Sequence, residues 1–101
     1  MDYMEVKLVH VYRPDRRAKW KRESNSIYIK NVGWVLLSDD WVEEERKRGV
    51  KVEVRAVGVP KEEFLGLMRE KVRELEGKAM KRSLYARLLA LLRERFPEVF
   101  R

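Results

Sequence analysis

From Tyr3 to Tyr12 the chain alternates, with Met4, Val6, Leu8, His10 and Tyr12 on one side and Tyr3, Glu5, Lys7, Val9 and Val11 on the other. A period of two predicts a strand. Pro14 has no N–H to give a ladder, so the strand ends near Arg13 or continues only as an edge. A second β-rich run, Ile27 to Leu37, is interrupted by Asn31-Val32-Gly33. Asn and Gly tolerate positive φ, so this is a hairpin of Ser26–Lys30 with Trp34–Leu37, the favoured reading, or one strand bent through Gly33. Val50 to Val57 alternates most cleanly: Val50, Val52, Val54 and Ala56 point one way, and Lys51, Glu53 and Arg55 the other. Gly58-Val59-Pro60 then predicts a turn.

Three stretches have helical spacing. Asp40 followed by Glu43 fits a capping box, Arg46-Lys47-Arg48 suits the negative pole of the dipole, and Gly49 is a stop, which predicts a helix over 40–48. Lys61–Glu76 places Phe64, Leu65, Met68, Val72 and Leu75 along one side, and Gly77 ends or kinks it. Residues 79–95 carry Leu84, Leu88, Leu91 and Leu92 on one stripe with Tyr85 and Leu89 beside it, limited by Pro97. That width exceeds one contact, and a helical hairpin or a dimer seam would use it. The order predicts a single α+β domain over 1–101. A small, mainly antiparallel sheet of three or four strands and the first helix occupy 1–60, and a C-terminal helical pair occupies 61–101, with all three helices on one face.

Charge changes this picture. The chain has 24 Lys+Arg against 17 Asp+Glu, a net charge of +7. Residues 1–23 carry +3 and residues 78–101 carry +5, while the middle is balanced. Within Arg13–Arg22 six of ten residues are cations, and Trp20 lies among them. Folding does not call for such a run, because Lys and Arg are almost never buried unpaired. A surface that meets an anion does. Arg13, Arg16, Arg17, Lys19, Lys21 and Arg22 are therefore the candidate phosphate contacts, and Trp20 a candidate stacking face. The run reads as a loop or an extended segment, with Glu23-Ser24-Asn25-Ser26 as a turn.

If Ile27, Ile29 and the even-numbered valines of 50–56 face the core, Tyr28, Lys30, Lys51 and Arg55 share the open side of the sheet, with Trp34 joining them if the turn keeps its parity. Cations interleaved with aromatics make a single-strand platform. Trp34 and Trp41 flank Val35-Leu36-Leu37 and read more naturally as core, so Trp20 is expected to be the most exposed indole. Lys78-Ala79-Met80-Lys81-Arg82 is a second phosphate contact or simply a solvated connection.

Other chemistries find little support. Without cysteine there is no disulfide and no thiolate zinc site. Asp39, Asp40, Glu43, Glu44 and Glu45 are explained by helix-start chemistry and pairing with Arg48, so no metal is expected. His10, the single histidine, is expected inside the fold, with no Ser at a motif spacing to it. No phosphate-binding loop or nucleophile elbow appears, so neither enzymatic activity nor a cofactor is expected. The basic-then-apolar order of a signal peptide is missing, as is a run of the roughly 20 apolar residues that spans a bilayer. A cytoplasmic protein without a membrane role is expected, and the charge density suggests a thermophilic origin.

A cysteine-free, charge-dense α+β chain with Trp20 and Trp34 near basic strands and a leucine-rich C-terminal helix pair resembles the archaeal ThermoDBP-related proteins. The resemblance implies an antiparallel sheet with flanking helices, single-stranded nucleic-acid binding in an aromatic and basic cleft, and self-association. It rests on architecture and composition, and carries over no functional residue. The residues themselves point the same way, to sequence-tolerant binding of single-stranded DNA or RNA by Arg13, Arg16, Arg17, Lys19, Lys21 and Arg22. Lys30 and Arg55 are secondary contacts, and Trp20 and Tyr28 stack bases, joined by Trp34 if the turn keeps its parity. A homo-oligomer through the C-terminal helices is expected. The alternative is a protein–protein interaction module that docks through those helices and has no nucleic-acid role.

Overall fold

The computed structural model describes residues 2–101. In chain order it has strand β1 (Tyr3–Tyr12), helix α1 (Arg16–Asn25), strands β2 (Ser26–Ile29) and β3 (Gly33–Leu36), helix α2 (Asp40–Lys47), strand β4 (Lys51–Pro60), helices α3 (Lys61–Lys78) and α4 (Ser83–Arg95), and a closing 3-10 turn, Pro97–Phe100. The α+β class holds, with one four-stranded antiparallel sheet in the order β2-β3-β1-β4 and four helices instead of three.

The extra helix is the basic segment. Pro14 and Asp15 start it: the Asp15 carboxylate accepts the Ala18 N–H at 2.8 Å, an N-cap that outweighs the mutual repulsion of the cations behind it. Asn25 then passes directly into β2, so the expected turn at 23–26 is the last turn of a helix and the first residue of a strand. The favoured hairpin is present: Tyr28 pairs with Trp34, and Asn31 at the tip has φ 67°. Gly58-Val59-Pro60 does not turn. β4 runs unbroken from Lys51 opposite Tyr12 to Pro60 opposite Tyr3, and α3 starts at the next residue. Nor does Gly77 stop α3, which reaches Lys78, while α4 begins only at Ser83.

The helices cover both faces of the sheet, not one. Apolar residues in the long strands switch sides part-way: Val6 and Leu8 face one way in β1, and Val9 and Val11 the other. In β4, Val57 and Val59 are opposite in phase to Val52 and Val54. Each buried half needs its own cover. Val6, Ile27, Ile29, Val35 and Val59 pack against Phe64, Met68, Leu88 and Leu92 of α3 and α4. Val9, Val11, Leu36 and Val52 pack against Ala18 of α1 and Trp41 and Val42 of α2. The stripe of α4 is largely used inside the chain, where Leu88, Leu89 and Leu92 are buried and Phe96 stands edge-on to Phe64 with ring centres 5.7 Å apart.

This diagonal cover leaves two half-faces open. His10, Tyr12, Lys51, Glu53 and Arg55 share one; Tyr3, Glu5, Lys7, Ala56 and Gly58 share the other. His10 is therefore exposed, its ring edge-on to Tyr12 at 4.3 Å, and is not a core residue. Trp41→Ala and Phe64→Ala each remove a large ring from a different core and should each lower unfolding stability by about 3–5 kcal/mol. Because the sites lie in separate clusters, the double variant should lose the sum in urea denaturation.

Candidate nucleic-acid interface

Helix α1 carries most of the candidate cations, and three sets of contacts hold it. At its start Asp15 accepts from Arg48 at 2.9 Å, and Arg17 Nε donates to Glu45 at 3.1 Å. Glu45 is fully buried and also accepts from Arg48 at 2.9 Å. In the middle Ala18, wholly buried, lets the helix lie close to the sheet. At its end the Asn25 carbonyl accepts the Leu37 N–H at 2.9 Å, and Arg87 of α4 donates to the Ser24 carbonyl at 3.2 Å and to Asn25 Oδ1 at 2.6 Å. The Ala18 N–H and then the Arg48 guanidinium hold the Asp15 carboxyl below the usual range; Arg48 and then Arg17 do the same for Glu45 against the opposing effect of burial.

These contacts separate the six cations. Arg17 is committed to Glu45 and comes within 3.9 Å of Glu44. The Arg22 guanidinium lies 4.4 Å from the centre of the Trp34 ring, with its Nε buried and unpaired, so two candidates expected to meet ligand meet each other. Arg13, in the left-handed region at φ 49°, Arg16 and Lys19 are exposed, and among the described residues none has a carboxylate within 4 Å. Lys21 turns toward α4.

There a groove of about 710 Å³ opens between the end of α1 and the start of α4. Trp20, Lys21, Ser24 and Asn25 form one wall, and Lys81, Arg82, Ser83, Leu84 and Arg87 the other. No carboxylate lines it, and no ion pair neutralises Lys21, Lys81, Arg82 or Arg87 among the described residues. Trp20 is 49% exposed at its edge, while Trp41 is 3% exposed, the order expected of the indoles. Four cations with an accessible indole and no counter-charge make an anion-attracting concavity with one stacking surface.

The expected open sheet side does not form. Tyr28 and Trp34 are cross-strand partners whose rings meet edge-on at 5.6 Å, on the face that Val9, Val52 and Val54 share. Arg55 pairs with Leu8, and Lys51 with Tyr12, so both point to the opposite face. Because Ile27 and the even-numbered valines belong to different cores, they never shared a side. Lys30 sits at the hairpin tip beside Leu67 of α3. Tyr28 itself is 50% exposed and next to the Arg22–Trp34 stack, a small second aromatic patch.

Arg87 lay outside sequence reasoning. It falls on the polar side of a leucine-rich helix, and nothing local says which wall it faces. Lys81 and Arg82 were visible as a basic zone, but their apposition to Trp20 depends on α4 folding back over the chain. No protein family, no curated protein and no solved structure matches this chain.

Glu45→Gln should destabilise the fold by about 1–3 kcal/mol by weakening the three charged hydrogen bonds that Arg17 and Arg48 donate to it. Because Asp15 and Glu45 titrate below their ordinary values, the stability they supply is fully present above about pH 5 and is lost as pH falls through the lowered values. Thermal melts across the acid range should therefore show a shallower acid loss in Glu45→Gln than in the parent chain.

Proposed function

We propose that this chain binds single-stranded nucleic acid with little sequence preference, using the α1–α4 groove as its grip. One observation carries the reading: Trp20 stands among Lys21, Lys81, Arg82 and Arg87 in a groove lined by no carboxylate. In this reading Lys21, Lys81 and Arg82 neutralise successive phosphates and Trp20 stacks one base. Arg87 ties the walls together through Ser24 and Asn25 while adding its charge. The groove is open and presents one accessible indole, which suits unpaired bases with their faces free more than a closed duplex. Exposed Arg16 and Lys19 extend the positive surface along α1, and Tyr28 offers a further ring. The resemblance to the ThermoDBP-related proteins implies the same activity.

Fluorescence anisotropy with a short labelled oligonucleotide tests this. Three or four phosphate contacts give log affinity against log salt a slope of about −2 to −3. Lys21→Glu with Arg82→Glu should flatten that slope and weaken binding at every sequence tried. Trp20→Ala should weaken binding by about 5- to 150-fold, the equivalent of 1–3 kcal/mol of stacking, and leave the slope in place. Binding that ignores salt, or that survives both variants, would sink the reading.

A further inference from the structure

Strand β4 is an outer strand of the sheet, ten residues long and, among the described residues, paired only to β1. The Val52 carbonyl is taken by Arg46, whose Nε and Nη2 donate to it at 3.1 and 2.8 Å, so this residue's polar groups point away from β1. By the alternation of an antiparallel ladder, Val54, Ala56 and Gly58 also direct their N–H and C=O outward. Arg46 covers one end of this edge; Ala56 and Gly58 are exposed. A long open edge is a template for another strand unless something blunts it.

Two further features say which strand fits. Gly58 lies inside a strand with no bulge in its register, its φ is not positive, and a Cβ there would meet nothing within 4 Å. Glycine in a strand interior is less stable than alanine, and nothing in the chain's own backbone or packing asks for it. One use of such a residue is the close approach of another backbone. The second feature is the charge order. Lys51, Glu53 and Arg55 alternate in sign on one exposed half-face, and neither Glu53 nor Arg55 has an ion-pair partner among the described residues. Antiparallel self-pairing about Val54 sets Glu53 of each copy opposite Arg55 of the other. Pairing about Glu53 or Arg55 would instead set like charges together.

We propose that a second copy of this chain pairs along β4, antiparallel about Val54, joining two four-stranded sheets into one of eight strands. Val54 then bonds its own counterpart, and Val52 bonds Ala56 of the other copy. The Val52 carbonyl has two lone pairs, so Arg46 gives up one of its two N–H bonds there as the Ala56 N–H of the other copy takes its place. Gly58 comes opposite Val50, where the chain leaves α2, and its missing side chain gives that turn room. The seam lies apart from the α1–α4 groove and does not depend on the nucleic-acid reading.

Sedimentation velocity over a range of protein concentrations tests the pairing. The parent chain should form a dimer. Glu53→Arg turns both cross-strand attractions into repulsions and should raise the dissociation constant about tenfold or more. Glu53→Arg with Arg55→Glu exchanges the charges and should restore the dimer. Glu53 is exposed and unpaired, so circular dichroism should show each variant folded. Amide exchange provides a second readout, since Val54 and Ala56 N–H groups are unpaired in a monomer and should slow as protein concentration rises. A monomeric parent chain overturns the proposal. So does a dimer indifferent to Glu53→Arg, failure of the exchanged pair to restore it, or fast exchange at Val54 and Ala56 within a dimer.

Discussion

The buried Glu45 carboxylate between the Arg17 and Arg48 guanidinium groups sets where the most basic segment of the chain lies. Burying one carboxylate is costly unless its charge and lone pairs are met, and here two arginines meet them at 2.9–3.3 Å. Arg48 also bonds the N-cap Asp15, so one side chain joins the cap of α1 to the body of α2. A helix with so many cations at its start has no dipole advantage, and its capping residue and its anchor supply what its own sequence lacks. With α1 held in this way, some of its cations are neutralised and the rest are turned outward or toward α4.

The sheet imposes the second constraint. Its long strands are apolar on opposite faces at opposite ends, so one pair of helices cannot cover them. α1 with α2 takes one half-face and α3 with α4 takes the other. To do so α4 passes the β2 side of the sheet, where Arg87 meets the end of α1 and the groove forms between them. The open half-faces and the bare β4 edge are the complement of the same arrangement. Groove and edge thus follow from one packing problem.

Where periodicity was local and unopposed, the sequence was a sound guide. The alternation of Tyr3–Tyr12, the acidic start and basic finish of α2, and the Asn31-Val32-Gly33 tip are all set by neighbours within a few residues. α1 has no such local signal in its hydrophobic pattern, which is nearly absent under the run of like charge, although Pro14-Asp15 ahead of Ala18 is a readable cap. Gly58 and Pro60 look like a turn that would end β4 early; their pairing with Glu5 and Tyr3 at the other end of β1 overrides that preference.

Burial of the candidate side chains was only partly legible. The order of exposure of Trp20 and Trp41 could be read from their surroundings, one among cations and the other beside an apolar run. That Arg22 stacks on Trp34, that Arg17 is consumed by Glu45, and that Arg55 turns away from Tyr28 could not. The sequence alone determined the spacing of apolar positions, the acidic start and basic finish of α2 and the two basic zones, because each depends on residues a turn or a strand apart. Only the tertiary structure decided which cations keep an unpaired charge and which share a groove with an indole. That outcome depends on contacts between residues as far apart in sequence as Asn25 and Arg87, whose energies no local pattern encodes.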